Sequence, residues 1–323
     1  MSSVSSDFIV DLRRLQLLRE LADRGTVTAT ASALHLTPSA VSQQLAALSK
    51  EAGVPVLVKV GRRVRLTAEG QILLQHADRL HEQLERTRAD LLRSRGGLTG
   101  QVTVGAFGSA IPALVAPAIS DLARSRPGLS VTVRETEAPQ CYTDLRMGEV
   151  DVVITVAGRH APPKTDRRYE RRHLLDERLD LLLPSDHPEA THQTIDLARL
   201  SGTEWIMGNG GPCHEIALAA CQAAGFTPDV RHRTSDWNAL AALVAVGLGV
   251  ALVPRMALPQ IPPGAVLRPV RQPSAKRGLV LVVRQGSSQS PLIDSMTNAL
   301  TAAAAELTDQ RRPRRASTRR DRS

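Results

Sequence analysis

Apolar positions near the start of the chain fall into two short helical stripes. Ala29, Ala33 and Leu34 form one small apolar face, and Val41, Leu45 and Leu48 form a second, both at the helical spacing of about 3.6 residues per turn. Between them Thr37 fits a helix N-cap and Pro38 the first helical position, where its missing N–H costs nothing. Ser39, Ser42 and Gln43 fall on the polar side. The stretch predicts two helices meeting at a tight turn, a pattern shared by helix-turn-helix motifs and by ordinary hairpins with a solvated polar face. Beyond Gly53, which can end the second helix, Val54 to Leu66 is β-prone and is broken by Gly61-Arg62-Arg63, predicting two short strands with a basic tip. From the cap candidate Thr67 to about Arg95 the apolar stripe narrows. Leu73, Ala77, Leu80, Leu84, Thr87 and Leu91 alternate by four and three, a heptad seam. A helix lying on its own domain carries a wider stripe, so this seam predicts contact between the helices of two subunits.

From about Gly96 the pattern becomes an alternation of strands and helices. Gln101–Phe107, Leu129–Glu135 and Asp151–Val156 read as strands, with helices over Ile111–Arg124 and up to Gly148 between them. After a charged segment, Arg159–Arg172, further strands are expected at Leu179–Leu183, Glu204–Met207, Val230–Thr234, Val250–Val253, Val266–Val270 and Leu279–Arg284. Helices are expected at Cys213–Ala224, Trp237–Val246 and Leu292–Leu307. This order predicts right-handed βαβ units on a parallel sheet.

Charge sharpens the division. The net charge is +9, from 41 Lys and Arg against 32 Asp and Glu, and the excess lies in the first 95 residues and in the tail, while the long middle balances. A basic head on a neutral body suits a nucleic-acid reader attached to a small-molecule sensor. The tail, with Arg311, Arg312, Arg314 and Arg315, is expected to be disordered; it serves either as a solubilising segment or as extra DNA affinity. At 323 residues the chain can bury a sizeable core although only 2% of it is aromatic. No apolar run approaches a membrane span, the Met1–Asp7 segment is too polar for a signal peptide, and three cysteines argue against a disulfide framework. These features fit a cytoplasmic protein.

Residues 12 to 95 resemble the DNA-binding domain and linker helix of LysR-type transcriptional regulators. The likeness is carried by Leu12-Arg-Arg-Leu15, Leu21-Ala-Asp-Arg-Gly-Thr-Val27, the turn segment above, and Gly61-Arg-Arg-Val-Arg-Leu-Thr67 with Gly70. Two departures stand out: Leu48-Ser49 where the family usually has Leu-Glu, and Val56-Leu57-Val58-Lys59 where it usually has Leu-Phe-x-Arg. The resemblance implies that Pro38, Ser39, Ser42 and Gln43 face the major groove and Arg62 the flanking minor groove. Thr28, Thr37, Lys59, Arg63 and Arg65 would meet phosphates. Leu73, Ala77, Leu80, Leu84 and Leu91 would form the dimer helix, giving a dimer or a tetramer on a pseudo-palindromic operator.

The remainder resembles the effector domain of the same family, an α/β fold of the type 2 periplasmic-binding-protein kind, through Gly148-Glu-Val-Asp151 and Gly247-Leu-Gly-Val-Ala-Leu-Val-Pro254. The implied organisation is a winged helix-turn-helix over 8–70, a linker helix over 71–95 and an effector domain over 96–307, followed by the tail at 308–323. Within the effector domain, the first subdomain takes about 96–168 and 270–307 and the second 169–269, with crossings near Arg168–Arg172 and Leu267–Arg271. Helix starts and short hydroxyl side chains in such a cleft favour an anion, which nominates Ser109, Thr136, Asn209, Thr234 and Ser235 as effector contacts. The expected partners are double-stranded DNA, a second copy of the chain and a small-molecule effector of anionic class, with RNA polymerase as a further candidate. No cofactor is implied.

Other chemistry is weaker. Cys213 and Cys221 resemble in placement the paired cysteines of the peroxide-sensing branch, but on one continuous helix eight residues separate backbones by about 12 Å, too far for a disulfide without unwinding. Gly105-Ala-Phe-Gly-Ser109 breaks the spacing of a nucleophile elbow, and Gly247-Leu-Gly249 lacks the third glycine of a dinucleotide loop. Asp186, His187 and His192 are scattered loop residues more like a solvated turn than a metal site. The competing class is a solute-binding protein or a transferase-like α/β enzyme with an appended head.

Overall fold

The computed structural model describes residues 9–60, 63–94, 96, 99–271 and 275–310. Arg62 and the arginine-rich tail beyond Gln310 lie outside these described residues. The chain forms two compact units that part between Leu91 and Leu92.

The first unit is a helical head with a two-stranded wing. Its helices are α1 (Leu12–Arg24), α2 (Val27–Ala33) and α3 (Pro38–Ala52). Thr37 Oγ1 accepts the Ala40 N–H at 3.1 Å and Gly53 closes α3 in the left-handed conformation, so both ends of the expected helix are capped by the residues that predict them. Val41, Leu45 and Leu48 bury against Leu15, Leu18 and Leu21 of α1. The wing pairs β1 (Leu57–Val60) antiparallel with β2 (Arg63–Leu66), Lys59 opposite Val64. Ser49 bridges α3 to the wing, donating to the Leu45 carbonyl at 3.2 Å and accepting from Val56 N–H at 3.3 Å. Thr67 Oγ1 accepts the Gly70 N–H at the start of α4 (Ala68–Ser94). Gly70 is required there, since a Cβ would lie 2.2 Å from the Val56 carbonyl oxygen.

The second unit has two lobes that share one long strand. In the first lobe β3 (Gly100–Ala106) pairs in parallel with both β4 (Leu129–Glu135) and β5 (Val152–Val156). Helix α5 (Ala116–Ser125) and the closing helix α9 (Pro291–Gln310) share one core with these strands, and α6 (Gln140–Met147) packs in another. Residues Ile111–Val115 before α5 form a single π-helical turn rather than its first α-turn. The sheet is mixed rather than parallel: β11 (Lys276–Arg284) enters antiparallel between β5 and β6 (Tyr169–Pro184).

Strand β6 corrects the charged-segment expectation. It begins at Tyr169, well before Leu179, and its charged first half pairs with β11 alone as a sheet edge, where charge blocks further pairing and is compatible with a strand. From Leu179 the same strand pairs with β9 (Ala251–Pro254) and β10 (Ala265–Arg268) in the second lobe. The change of lobe therefore falls at Arg178–Leu179 rather than near Arg168–Arg172. The return falls at Ala275–Lys276 rather than Leu267–Arg271, with Leu179 N–H on the Ala275 carbonyl at 3.0 Å. The second lobe also holds β7 (Glu204–Met207) parallel to β8 (Asp229–Arg233), α7 (Gly211–Ala223) and α8 (Trp237–Ala245).

The two motifs of this unit are structural. Asp151 accepts from Thr103 N–H at 3.0 Å and from Arg284 Nη2 at 2.9 Å, tying three chain segments together. Gly249 has φ +142°, and a Cβ there would lie 2.7 Å from the Glu204 carbonyl oxygen, so glycine lets the turn before β9 approach β7.

Candidate functional site

The head presents one polar face on α3. Pro38, Ser39, Ser42 and Gln43 are exposed on α3 opposite its buried stripe, and the last three make no side-chain hydrogen bond among the described residues. Gln44, next in line, is already bonded to Arg14 Nε at 2.9 Å. Thr28 on α2, Lys59 on β1 and Arg65 on β2 are exposed as well, whereas Thr37 spends its hydroxyl on the α3 cap. Arg63 lies at the start of β2 and Arg62 outside the described residues. Exposed Ser and Gln on a capped helix beside a basic wing can read base edges and hold phosphates.

The seam of α4 divides in two. Leu73 and Ala77 pack against the head's own core, because the first turns of α4 lie on it. Leu80, Leu84 and Leu91 are exposed. Leu73, Ala77 and Leu80 also line an apolar groove of about 640 Å³ with Val10, Leu12 and Ile72.

Between the two lobes of the second unit lies a cavity of about 420 Å³. Phe107, Ser109, Glu135, Glu137 and Arg277 wall it from the first lobe; Cys213, His214, Thr234, Ser235, Asp236 and Trp237 wall it from the second. Of the nominated contacts, Ser109, Thr234 and Ser235 line it. Thr136 does not: its hydroxyl is buried and donates to Asp144 Oδ2 at 2.7 Å. Asn209 is exposed outside the lining, although the flanking Gly208 and Gly210 belong to it, and its N–H bonds Ser235 Oγ at 3.3 Å.

Arg277 carried no signal in the sequence and dominates the floor. Its side chain is 1% exposed, with Nε on Glu177 Oε2 at 2.8 Å, Nη2 on Ser109 Oγ at 3.2 Å and Nη1 on Cys213 Sγ at 3.3 Å. Its guanidinium lies 4.9 Å from the centre of the Phe107 ring. Glu137 is exposed at the cavity wall, and partial desolvation lifts its carboxyl above the ordinary range, against the pull of Arg277. Burial likewise pushes the Cys213 thiol up despite Arg277, and takes Cys221 and Cys141 to about 12. At α8 the anion expected from helix starts meets occupied donors, since Asp236 caps that helix through the N–H groups of Asn238 and Ala239; at the head of α7 the Glu137 carboxylate lies close to Gly211.

Two family models cover most of the chain: the bacterial regulatory helix-turn-helix of the lysR family over residues 12–71, and the LysR substrate binding domain over residues 95–305. The chain belongs to the LysR family of transcriptional regulators. This LysR regulator is 28% identical over 281 residues to the hydrogen peroxide-inducible genes activator of Dickeya chrysanthemi, covering 86% of this chain and 90% of that protein. Among solved structures it is similar to a cysteine mutant of Corynebacterium glutamicum OxyR with H2O2 bound (25% identity, TM-score 0.59, 94% and 95% of the two chains). It also shares the fold of full-length CbnR complexed with its target DNA (22% identity, TM-score 0.54, 91% and 100%). The matched relatives are regulators rather than enzymes, and no helix among the described residues is long and apolar enough to cross a membrane.

Proposed function

We propose that this LysR regulator binds a pseudo-palindromic operator as a dimer or a tetramer, and that a small molecule in the interlobe cavity changes how it holds the DNA. The observation that carries this reading is the pairing of an unbonded Ser39–Ser42–Gln43 face in the head with a cavity walled by both lobes of the body. In the dimer, the α4 helix of a second copy would cover the groove beside Leu80 and the exposed Leu84 and Leu91. A ligand acts on such a system only through different affinities for two lobe arrangements. The protein would work in the cytoplasm, with RNA polymerase as the further partner at its promoters. Footprinting with and without ligand tests the reading: an identical footprint and bend with every bound ligand, while transcription still changes, overturns it.

A second reading has one observation behind it. Cys213 lines the cavity with its sulfur on Arg277, and the Dickeya chrysanthemi relative is named for hydrogen peroxide. Peroxide would oxidise the thiol to a sulfenic acid with release of water. A disulfide with Cys221 would demand unwinding, because both cysteines lie on the continuous helix α7, about 12 Å apart along its axis. The raised thiol pKa slows oxidation, since the thiolate is the nucleophile. Peroxide-dependent DNA binding that survives Cys213→Ser removes this reading.

A further inference from the structure

The cavity has the wrong electrostatics for the anion that its hydroxyl-rich helix starts suggest. Arg277 is the Lys or Arg of its lining, and that charge is matched at contact distance by the buried Glu177. Its other contacts, to Ser109 and Cys213, and its stacking over Phe107 leave it turned toward the protein. Beyond this neutral pair the wall carries Glu135, Glu137 and Asp236. Glu135 and Glu137 lie close enough to repel one another, and the lobes raise the Glu137 pKa. The backbone donors that would hold an anion at α8 are taken by Asp236.

A second observation is the aromatic surface of the cavity. Phe107 and Trp237 line the space from opposite lobes, among Ser109, Thr234, Ser235 and Asn238.

From this cavity we infer that the effector is an organic cation: a protonated amine, amidine or guanidine held by Glu135 and Glu137, with its apolar part between Phe107 and Trp237. This rests on the reading of the cavity as the effector site. It adds the sign of the ligand's charge and the side chains that select it. Binding would bring carboxylates of the first lobe and the Trp237 ring of the second onto one ligand, which is how such a ligand could favour one lobe arrangement.

The test uses the full-length protein and two probes of matched shape and opposite charge, benzamidinium and benzoate, followed by calorimetry and thermal shift at fixed salt. Benzamidinium is expected to bind and benzoate to bind at least about tenfold more weakly, a gap of ~1.4 kcal/mol. Glu137→Gln and Glu135→Gln should each weaken benzamidinium by about fivefold, the scale of a solvent-screened ion pair. Equal or stronger binding of benzoate, no binding of benzamidinium at millimolar concentration, or unchanged benzamidinium affinity in the double Gln variant overturns the inference. Unliganded melting curves of the Gln variants establish that they fold. Thr234→Trp, which fills the cavity, separates the two levels. If a benzoate preference disappears in that variant, the cavity remains the ligand site and only the cation is wrong; if either probe binds it undiminished, the cavity reading fails as well.

Discussion

Arg277 on β11 and Glu177 on β6 form a buried ion pair, with Nη2 2.7 Å from Oε2 and both side chains 1% exposed. The pair lies where β6 is about to pass from one lobe to the other, and Glu177 also accepts the Met256 N–H at 2.7 Å. Removing one member of such a pair strands the other charge out of water, at a cost of about 3–5 kcal/mol. Glu177→Gln keeps the shape and the acceptor for Met256 but leaves Arg277 uncompensated. Urea denaturation should show a loss of that size in the effector unit, whereas a change within about 0.5 kcal/mol, the ordinary surface value, would contradict it.

Glu137 predicts a pH dependence with a definite sign. Its folded-state pKa is raised above 4.5, chiefly by desolvation, so the ionised side chain opposes folding at neutral pH. The stability linked to its protonation is fully present below the ordinary value and is lost as pH rises through the raised one. Glu137→Gln should therefore melt higher than the wild type at pH 7, with the difference closing as the pH falls below 4.5. An equal melting temperature across that range would contradict the assignment.

Ser42→Ala with Gln43→Ala removes exposed groups that bond nothing else among the described residues of the head. The fold should be unaffected, and circular dichroism should match the wild type. Specific operator affinity should fall by about 1–3 kcal/mol for each base-reading side chain truncated, while non-specific, salt-sensitive binding persists. Fluorescence anisotropy at two salt concentrations separates the two effects.

Leu80 and Leu84 are 49% and 47% exposed in the single chain. A charge at either position is cheap in a monomer and costly in a helix pair. Leu84→Glu should move the protein toward monomer in light scattering and weaken operator binding together with it; Leu73→Ala should instead lower the stability of the head, because Leu73 packs on its core.

Local patterns were legible wherever the cause was local. The α3 helix could be placed from Thr37, Pro38 and Gly53 because caps act within a few residues. The first half of β6 was not legible, because its charge reads as loop until β11, about a hundred residues later, supplies its pairing. Thr136 was nominated from its place after a strand, yet the neighbouring Asp144 takes its hydroxyl. Asp236 had a readable signal as the residue before the Trp237 helix, and its role there as a cap is what denies that helix start to an anion.

The sequence by itself determined the family, the reading helix and the order of head, linker and two-lobed body, since helix periodicity, capping and turn chemistry are short-range. Only the tertiary structure decided which seam residues of α4 stay exposed and where β6 changes lobe. It also decided the charge of the cavity. That charge depends on Glu177 neutralising Arg277 and on Glu135, Glu137 and Asp236 meeting across a gap, and such pairings exist only once distant strands have closed the fold.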